Sequence, residues 1–172
     1  MKYELRPARQ DDYTYCYRLT KRNMYEFFCR HWGGWVPHEF RRGFVIENIS
    51  MVIIADRRAG YINVIKEPLP VYIVNLQLSP IWQNQGIGTK LLKRLLALYS
   101  SDCIELTTFE DNPAKRLYER MGFVVVEKNG MTVKMGKNPS KAIQTSSSTF
   151  QIIRPNVSKQ LSTVMCSSQN CT

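Results

Sequence analysis

The amino-acid sequence predicts an α/β protein with a mixed, mostly antiparallel central sheet and helices on both faces. Two observations support this fold class. Short apolar runs of strand length alternate along the chain with longer segments whose apolar residues recur at helical spacing. Several strand segments are also separated only by tight turns, which is typical of antiparallel neighbours. The predicted order of elements is β-α-α-β-β-β-α-β-α-β-β.

The first half of the chain predicts four strands and two helices. Asp11 and Asp12 stand where a helix start favours acids, and Gly33-Gly34 should end that helix. Pro37 suits the first turn of a second, shorter helix. The expected bounds are 2–6 for the first strand, 37–44 for the short helix, and 49–55, 61–66 and 69–78 for the next three strands, with a turn at 56–60.

The second half predicts two helices and three strands. Apolar residues between positions 87 and 99 fall on one face of a helix, and basic residues fall on the other. Gly122 suits the left-handed end of the next helix, and Asn129-Gly130 is a strong hairpin signal. The expected bounds are 103–107 for a strand, 112–121 for the second helix, and 123–127 and 131–135 for the two strands of the hairpin.

Composition suggests one domain, residues 1–136, followed by a tail, residues 137–172. The tail is rich in Ser and Thr and carries four basic groups and no acid, so we expect it to be disordered. The alternative is that residues 150–153 dock on the domain as a short strand. With no signal peptide or membrane-spanning run, we expect a cytoplasmic protein. The five cysteines lack paired metal spacing, and we expect no metal.

The charge of the chain suggests an anionic ligand. The net charge is +10, of which the first 136 residues, with 20 basic and 14 acidic groups, contribute +6. Such a balance favours a polyanionic partner, either a nucleotide cofactor or a nucleic acid. Nucleic acid is not specifically indicated, because the basic residues are scattered rather than gathered in one stripe. Either a monomer or a homodimer is compatible with the sequence.

Two glycines, Gly86 and Gly88, stand at the start of the helix in the stretch QNQGIGTKLLKRLL, residues 83–96. The spacing fits neither a P-loop nor a dinucleotide fingerprint, which would need a third glycine where Leu91 stands. A helix start nevertheless leaves its first backbone N–H groups without partners inside the helix, so we expect those of residues 85–90 to receive a diphosphate. The alternative is that the glycines only form a tight strand-to-helix turn.

Two longer stretches carry a resemblance to a known family. The run LQLSPIWQNQGIGTKLL, residues 76–92, places Gln83, Gly86 and Gly88 in the signature Q/R-x-x-G-x-G/A. The run NPAKRLYERMGF, residues 112–123, supplies the residues of a downstream motif: Asn112, Ala114, Tyr118, Gly122 and Phe123. Together and in this order, they make residues 1–136 resemble the Gcn5-related N-acetyltransferase (GNAT) superfamily. Gln83 replaces the commoner Arg of that signature.

The resemblance implies a splay between two central strands and acetyl-CoA as co-substrate. The pyrophosphate would lie on the loop N–H groups, and the pantetheine arm would pair with the strand edge at Leu76, Gln77 and Leu78. The cofactor-binding positions implied in this way are Leu76, Gln77, Leu78, Gln83, Asn84, Gln85, Gly86, Ile87, Gly88, Thr89, Lys90, Asn112, Ala114 and Tyr118. Solvated helix lysines are the alternative interpretation of Lys90 and its neighbour Lys93.

The resemblance also implies a mechanism, in which an amine attacks the thioester directly. The backbone N–H of Leu78 would stabilise the oxyanion, and Tyr118 would act as general acid toward the leaving thiolate. The alternative for Tyr118 is a core aromatic. Glu39 is a candidate base, and the other candidates near the first two helices are Glu26, His31 and His38. A water chain could replace any of them.

Aromatic residues of the first helix and the following loop suggest an acceptor pocket. Its predicted wall comprises Tyr25, Phe28, Trp32 and Trp35, with Gly33-Gly34 as a hinge. The alternative is that these aromatics pack on the sheet. A small-molecule primary amine is favoured as acceptor because the chain is a single compact domain. The alternatives are a protein or aminoacyl-tRNA as acceptor, and a non-catalytic acyl-CoA-binding module.

Overall fold

A computed structural model describes residues 2–138 and shows seven strands and four α-helices in the predicted order. The strands are β1 (Glu4–Pro7), β2 (Ile49–Ile54), β3 (Arg57–Ile65), β4 (Val71–Leu78), β5 (Ile104–Phe109), β6 (Val124–Asn129) and β7 (Thr132–Lys137). The helices are α1 (Tyr13–Trp32), α2 (Pro37–Gly43), α3 (Ile87–Leu98) and α4 (Ala114–Arg120). The strands form one sheet in the order β1-β2-β3-β4-β5-β7-β6. The predicted mixed, mostly antiparallel sheet is therefore confirmed.

The helices cover both faces of the sheet, because adjacent strand residues point to opposite sides. On one face, Tyr61 of β3 packs with Cys16 and Leu19 of α1. On the other face, Ile62 of β3 belongs to the cluster that includes Leu92 of α3. We call these the α1 face and the α3 face. Each side of the sheet therefore has its own apolar core.

The turn between β2 and β3 differs from the prediction. We expected a turn at 56–60, but Ile54 pairs with Arg57, and the turn residues are Ala55 and Asp56, both with positive φ (47° and 58°). Gly60 instead lies inside β3. A Cβ atom there would be 2.1 Å from the carbonyl oxygen of Gln77, so the glycine permits close approach of β3 to β4 rather than a turn.

The hairpin between β6 and β7 is shifted by one residue from the predicted Asn129-Gly130 turn. Asn129 already pairs with Thr132, so Gly130 and Met131 occupy the turn, with Gly130 at a φ of 56°. β6 forms one edge of the sheet, and its three consecutive valines are exposed. The predicted tail lies outside the described residues, apart from its first two positions, and stays a prediction. None of the helices within residues 2–138 is long and apolar enough to span a membrane.

The parallel pair β4 and β5 separates partway along its length. Only three residue pairs join the two strands: Val71 with Ile104, Tyr72 with Glu105, and Ile73 with Leu106. β4 continues for five residues beyond Ile73, and β5 for three beyond Leu106. We call the gap between these strand ends the opening. It is the splay that the resemblance implies, and its position in the middle of the sheet sets the geometry of the site below.

Candidate active site

The β4 edge of the opening offers backbone hydrogen-bonding groups. The N–H of Ser79 donates to the carbonyl oxygen of Ala59 on the β3 side, at 2.8 Å. Because successive residues of a strand direct their backbone groups to opposite sides, the N–H groups of Leu78 and Leu76 point away from β3 and into the opening. The backbone of β4 at these residues is therefore turned toward whatever enters the gap between β4 and β5.

Two side chains anchor the end of β4 at the carbonyl oxygen of Leu78. Gln83 donates to it through Nε2 at 2.8 Å, and Asn23 of α1 donates through Nδ2 at 3.0 Å. The signature residue Gln83 thus ties the glycine loop back to the strand that precedes it. Gln85 makes a similar local bond, from Nε2 to the carbonyl oxygen of Ile81 at 2.6 Å. These bonds hold the loop in place at the mouth of the opening.

The two glycines of the loop have different structural roles. Gly86 immediately precedes α3 with a left-handed φ of 75°, and open space surrounds the position of its missing Cβ. Asn84 is also left-handed, at 57°. Gly88 has ordinary helical geometry, but a Cβ there would be 3.2 Å from a methyl group of Leu117 on α4. Gly86 therefore turns the exposed chain into α3 without strain, and Gly88 lets α3 pack closely on α4.

The loop residues differ in their exposure. Residues 83–86 are exposed, as is Lys90, whereas Thr89 is half-buried. Ile87 is buried in the cluster that also contains Leu78 and Leu91. The buried side chain of Ile87 therefore fixes the exposed start of α3 to the apolar core. Backbone N–H groups at an uncovered helix N-terminus are suited to bind a phosphate group.

Tyr118 of α4 lies on the α3 face, close to where β4 and β5 separate. It is buried in the cluster that contains Ile73 and Leu106, which form the last pair between the two strands. Burial raises the pKa of Tyr118 to about 12, because the charged phenolate is disfavoured in apolar surroundings. Its ring centroid is 6.0 Å from that of Phe123. The phenol is therefore a group that keeps its proton at neutral pH.

Asn112 and Ala114, predicted to bind the cofactor, are joined at the start of α4. The side-chain oxygen of Asn112 accepts a hydrogen bond from the backbone N–H of Ala114, at 2.9 Å. The Nδ2 atom of Asn112 lies 4.0 Å from the sulfur of Met24 on α1. Asn112 thus supports the first turn of α4 and also contacts α1. The side-chain oxygen of Asn112 therefore has a structural role in the helix start. A contact between Asn112 and the cofactor stays a prediction.

The predicted aromatic wall is only partly assembled. Phe28 and Trp32 pack edge to face at 4.9 Å, and both contact Phe109 at the end of β5. Trp35 reaches the same group through Phe28, at 5.3 Å. The ring of Tyr25 is 47% exposed, and the ammonium of Lys21 lies 5.7 Å from its centroid. Tyr25 therefore lies on the outer surface of α1, apart from the other three residues.

The base candidates fall into different environments. Glu39 forms ion pairs with His38 at 2.9 Å and with Arg42, all within α2. Glu26 is exposed on α1. The His31 side chain is 6% exposed, and its Nε2 lies 3.0 Å from the carboxylate of Asp111, just beyond β5. A catalytic role of Glu39 stays a prediction, and its charge is already balanced by these neighbours.

Asp111 also binds Arg30, at 2.8 Å. Desolvation alone would raise the pKa of Asp111, but the hydrogen bonds from His31 and Arg30 hold it below its usual value. Asp111 therefore ties the end of α1 to the end of β5 beside the opening. Within residues 2–138, no group of three His, Cys, Asp or Glu side chains is arranged to hold a metal ion.

Sequence reasoning missed a set of amides on the α1 face beside the opening. It comprises Asn23 of α1, Asn63 of β3, and Asn75 and Gln77 of β4. The resemblance implies a role only for the backbone of Gln77. The available signal was the period of two, because Asn75 and Gln77 occupy alternate positions of an otherwise apolar strand and so share a face.

Comparisons with known proteins agree with this geometry. Residues 41–125 match the family model of the acetyltransferase (GNAT) domain. No curated protein sequence matches the chain significantly. Among solved structures, PH1933 from Pyrococcus horikoshii OT3 is 22% identical with a TM-score of 0.63, covering 79% of this chain and 98% of its own.

Two further structures contain ligands. PaiA N-acetyltransferase from Thermoplasma acidophilum, in complex with coenzyme A, is 16% identical with a TM-score of 0.59, covering 80% of this chain and 99% of its own. Arabidopsis thaliana Naa50, in complex with the bisubstrate analogue CoA-Ac-MVNAL, is 15% identical with a TM-score of 0.58 and the same coverage of both chains. At these identities, the likeness establishes the fold.

Proposed function

We propose that this chain, which carries a GNAT acetyltransferase domain, moves an acetyl group from acetyl-CoA to a primary amine. The observation that carries the proposal is the opening between β4 and β5, with an exposed helix N-terminus at its mouth. An extended ligand arm can pair with the β4 edge while a diphosphate binds the loop. The residues beside the opening fit such a molecule because they offer N–H donors to both of its parts.

Two parts of the chain would bind the two ends of the co-substrate. The backbone of residues 76–78 would bind the amide groups of the arm, as an added strand does. The N–H groups of residues 85–89 would bind the pyrophosphate, with the left-handed Gly86 shaping the loop. The N–H of Lys90, which the sequence also placed in this set, instead donates to the carbonyl oxygen of Gly86 at 3.1 Å. Acetyl-CoA supplies the activated acyl group, and no metal is needed for these contacts.

In the proposed reaction, the amine nitrogen forms a bond to the acetyl carbon while the carbon–sulfur bond breaks. The N–H of Leu78 donates to the oxyanion that develops on the acetyl oxygen. The hydroxyl of Tyr118 gives its proton to the departing thiolate sulfur. The attacking nitrogen loses its extra proton to a base, for which Glu39, His31 or water are the candidates. The phenolate then recovers a proton from solvent, which restores the resting protein.

We favour a small-molecule amine as acceptor, and a peptide amine is the second candidate. The similarity in fold to Naa50, whose structure contains a peptide-derived bisubstrate analogue, supports the second. Transfer of the acetyl group to either acceptor requires the same contacts around the thioester. The two candidates differ in the kind of acceptor that must bind on the α1 face. Acetylation assays with both kinds of amine distinguish them.

A thermal-shift titration tests the proposal at the binding step. Acetyl-CoA and free CoA should each raise the melting temperature of the purified chain with increasing concentration, because both bind only the folded state. NAD serves as the control, since it carries a diphosphate without the pantetheine arm. The absence of a shift with acetyl-CoA and CoA up to millimolar concentration would contradict the enzyme proposal and leave the glycine loop as a turn.

A further inference from the structure

Four amide side chains gather on the α1 face beside the opening, and we call them the amide group: Asn23, Asn63, Asn75 and Gln77. Asn63 is paired with Asn75 across β3 and β4, so their side chains lie next to each other on one face. From α1, Asn23 donates to the side-chain oxygen of Gln77 at 3.0 Å. Gln77 in turn donates to the side-chain oxygen of Asn75 at 3.4 Å.

One member of the amide group lacks a hydrogen-bond donor. Asn63 is 3% exposed, and among the described residues no donor reaches its side-chain oxygen, Oδ1. A buried acceptor without a partner is unfavourable, and such groups in folded proteins call for a specific explanation. A ligand or water molecule that donates an N–H or O–H would satisfy this oxygen. The side chains and backbone of residues 2–138 therefore leave this oxygen to a ligand or a water molecule.

The position of the amide group relates it to the chemistry of the opening. Asn75 lies two residues beyond Ile73, the last residue of β4 that pairs with β5. Asn75 and Asn63 face α1, whereas Tyr118 packs on the α3 face with Ile73 and Leu106. A nucleophile held by the amide group would therefore approach a thioester in the opening from the side opposite the proton donor. That arrangement separates the attacking atom from the leaving sulfur.

Helix α1 extends across the opening above these amides. Asn23 contacts Gln77 on the β4 side, and one turn later Phe27 stacks on Phe109 of β5, with ring centroids 5.8 Å apart. Residues four apart on a helix lie on the same face. The side of α1 that faces the sheet thus meets amide groups at β4 and aromatic rings at β5. This arrangement fits an amine attached to an apolar body.

We propose that Oδ1 of Asn63 accepts an N–H of the acceptor amine, and that the acceptor is a primary amine with an aromatic body lying against the half-buried ring of Phe27. The inference rests on the proposed acetyl transfer. A neutral amide oxygen orients the nitrogen and stabilises its protonated form much less than a carboxylate at the same place would. The lone pair then remains free to attack the acetyl carbon.

Substitution of Asn63 by Leu, a side chain of similar shape, tests the proposal with 2-phenylethylamine as probe. Calorimetry on the CoA-saturated protein should show binding of 2-phenylethylamine to the wild type and at least tenfold weaker binding to Asn63→Leu. The ligand-free variant should melt at the same temperature as the wild type or higher, because the substitution removes an unpaired buried oxygen. The shift with CoA alone should be the same in both proteins.

Thr20→Val is the matched control on the same face. Thr20 is buried and already hydrogen-bonded to Tyr61, so its loss should lower the melting temperature and leave amine binding unchanged. A lower melting temperature for ligand-free Asn63→Leu would show that a buried water already satisfies the oxygen, and would overturn the proposal. Equal affinity of both proteins for the amine would also overturn the proposal. The absence of amine binding by a wild type that binds CoA would overturn it as well. No shift with CoA would instead contradict the acetyltransferase proposal itself.

Discussion

Tyr118 combines two properties that a proton donor to a thiolate needs. It is buried beside the point where β4 and β5 separate, and its pKa is raised to about 12, so the hydroxyl is protonated throughout the neutral range. A core aromatic would share the burial, but the hydroxyl would then have no function. The two interpretations differ in what removal of one oxygen atom does to catalysis.

Tyr118→Phe should lower turnover at least tenfold and leave affinity for acetyl-CoA nearly unchanged. The phenyl ring fills the same space, so binding is retained while the proton donor is lost. Thiol release measured at saturating acetyl-CoA gives turnover, and calorimetry with CoA gives affinity. Equal turnover of the two proteins would remove Tyr118 from the mechanism.

The residues of the site differ in how far the sequence could predict them. The motifs of fixed spacing contain Gln83, Gly86, Gly88 and Tyr118, and the resemblance that they carry implies a place for these residues around the opening. Asn63 belongs to no motif, and its relevance depends on pairing with Asn75 across two strands. Such a contact arises only from tertiary register, which the sequence alone does not state.

At the scale of elements, the junction from β4 to α3 is the part on which the proposed co-substrate binding would depend. The strand ends at Leu78, whose carbonyl oxygen accepts hydrogen bonds from Gln83 and Asn23. Two left-handed residues then turn the chain into the helix. The exposed N–H groups of the loop depend on this conformation, in which Gly86 avoids the strain that a Cβ would bring.

Gly86→Ala should weaken CoA binding at least tenfold and destabilise the fold by about 1 kcal/mol. Gly33→Ala is the matched control, because Gly33 has a similar φ of 71° and the same open surroundings, but ends α1. The control should show the same loss of stability in urea unfolding and no loss of CoA affinity in calorimetry. Equal CoA affinity of Gly86→Ala and the wild type would show that the conformation of the loop does not determine phosphate binding.

The elements themselves were predictable, and their turns were less so. Hydrophobic period and glycine or proline punctuation predicted the order of all seven strands and four helices. The same punctuation misplaced the turn between β2 and β3, because Gly60 is required by its contact with Gln77 and not by a turn. A glycine alone does not reveal whether it serves backbone conformation or close packing.

For the whole molecule, a buried carboxylate joins parts of the chain distant in sequence. Asp12, at the start of α1, is fully buried and lies 2.7 Å from Arg6 of β1 and 3.0 Å from Arg58 of β3. Desolvation alone would raise its pKa. The hydrogen bonds from Arg6 and from the backbone N–H of Arg9, with the charge of Arg58, hold the pKa of Asp12 below its usual value.

Asp12→Asn should lower the free energy of unfolding at pH 7 by about 2 kcal/mol, because the buried carboxylate accepts charge-assisted hydrogen bonds that a neutral amide makes more weakly. Because the folded-state pKa is lowered, the stabilisation is present above the unfolded-state pKa of about 4 and is lost as pH falls through the folded-state value. The variant should therefore lose less stability between pH 5 and pH 2 than the wild type does. Urea unfolding across that range measures the difference.

Asp11→Asn provides the comparison, since its carboxylate is 67% exposed and pairs with the same Arg58. An exposed ion pair contributes little, so this variant should stay within about 0.5 kcal/mol of the wild type at pH 7. Similar losses of unfolding free energy in the two variants would show that burial of Asp12 does not determine its contribution to stability.

The three residue pairs between β4 and β5 have a further consequence for the lifetime of the protein in a cell. The sheet consists of a block of four strands and a block of three, and these three pairs form the short seam that joins the two blocks. On the proposed function, the pantetheine arm extends that seam with hydrogen bonds that the chain does not make itself. The fraction of molecules in which CoA extends the seam then rises with the concentration of CoA in the cell. Resistance to proteases, and so abundance, would rise and fall with the metabolic state that the enzyme serves.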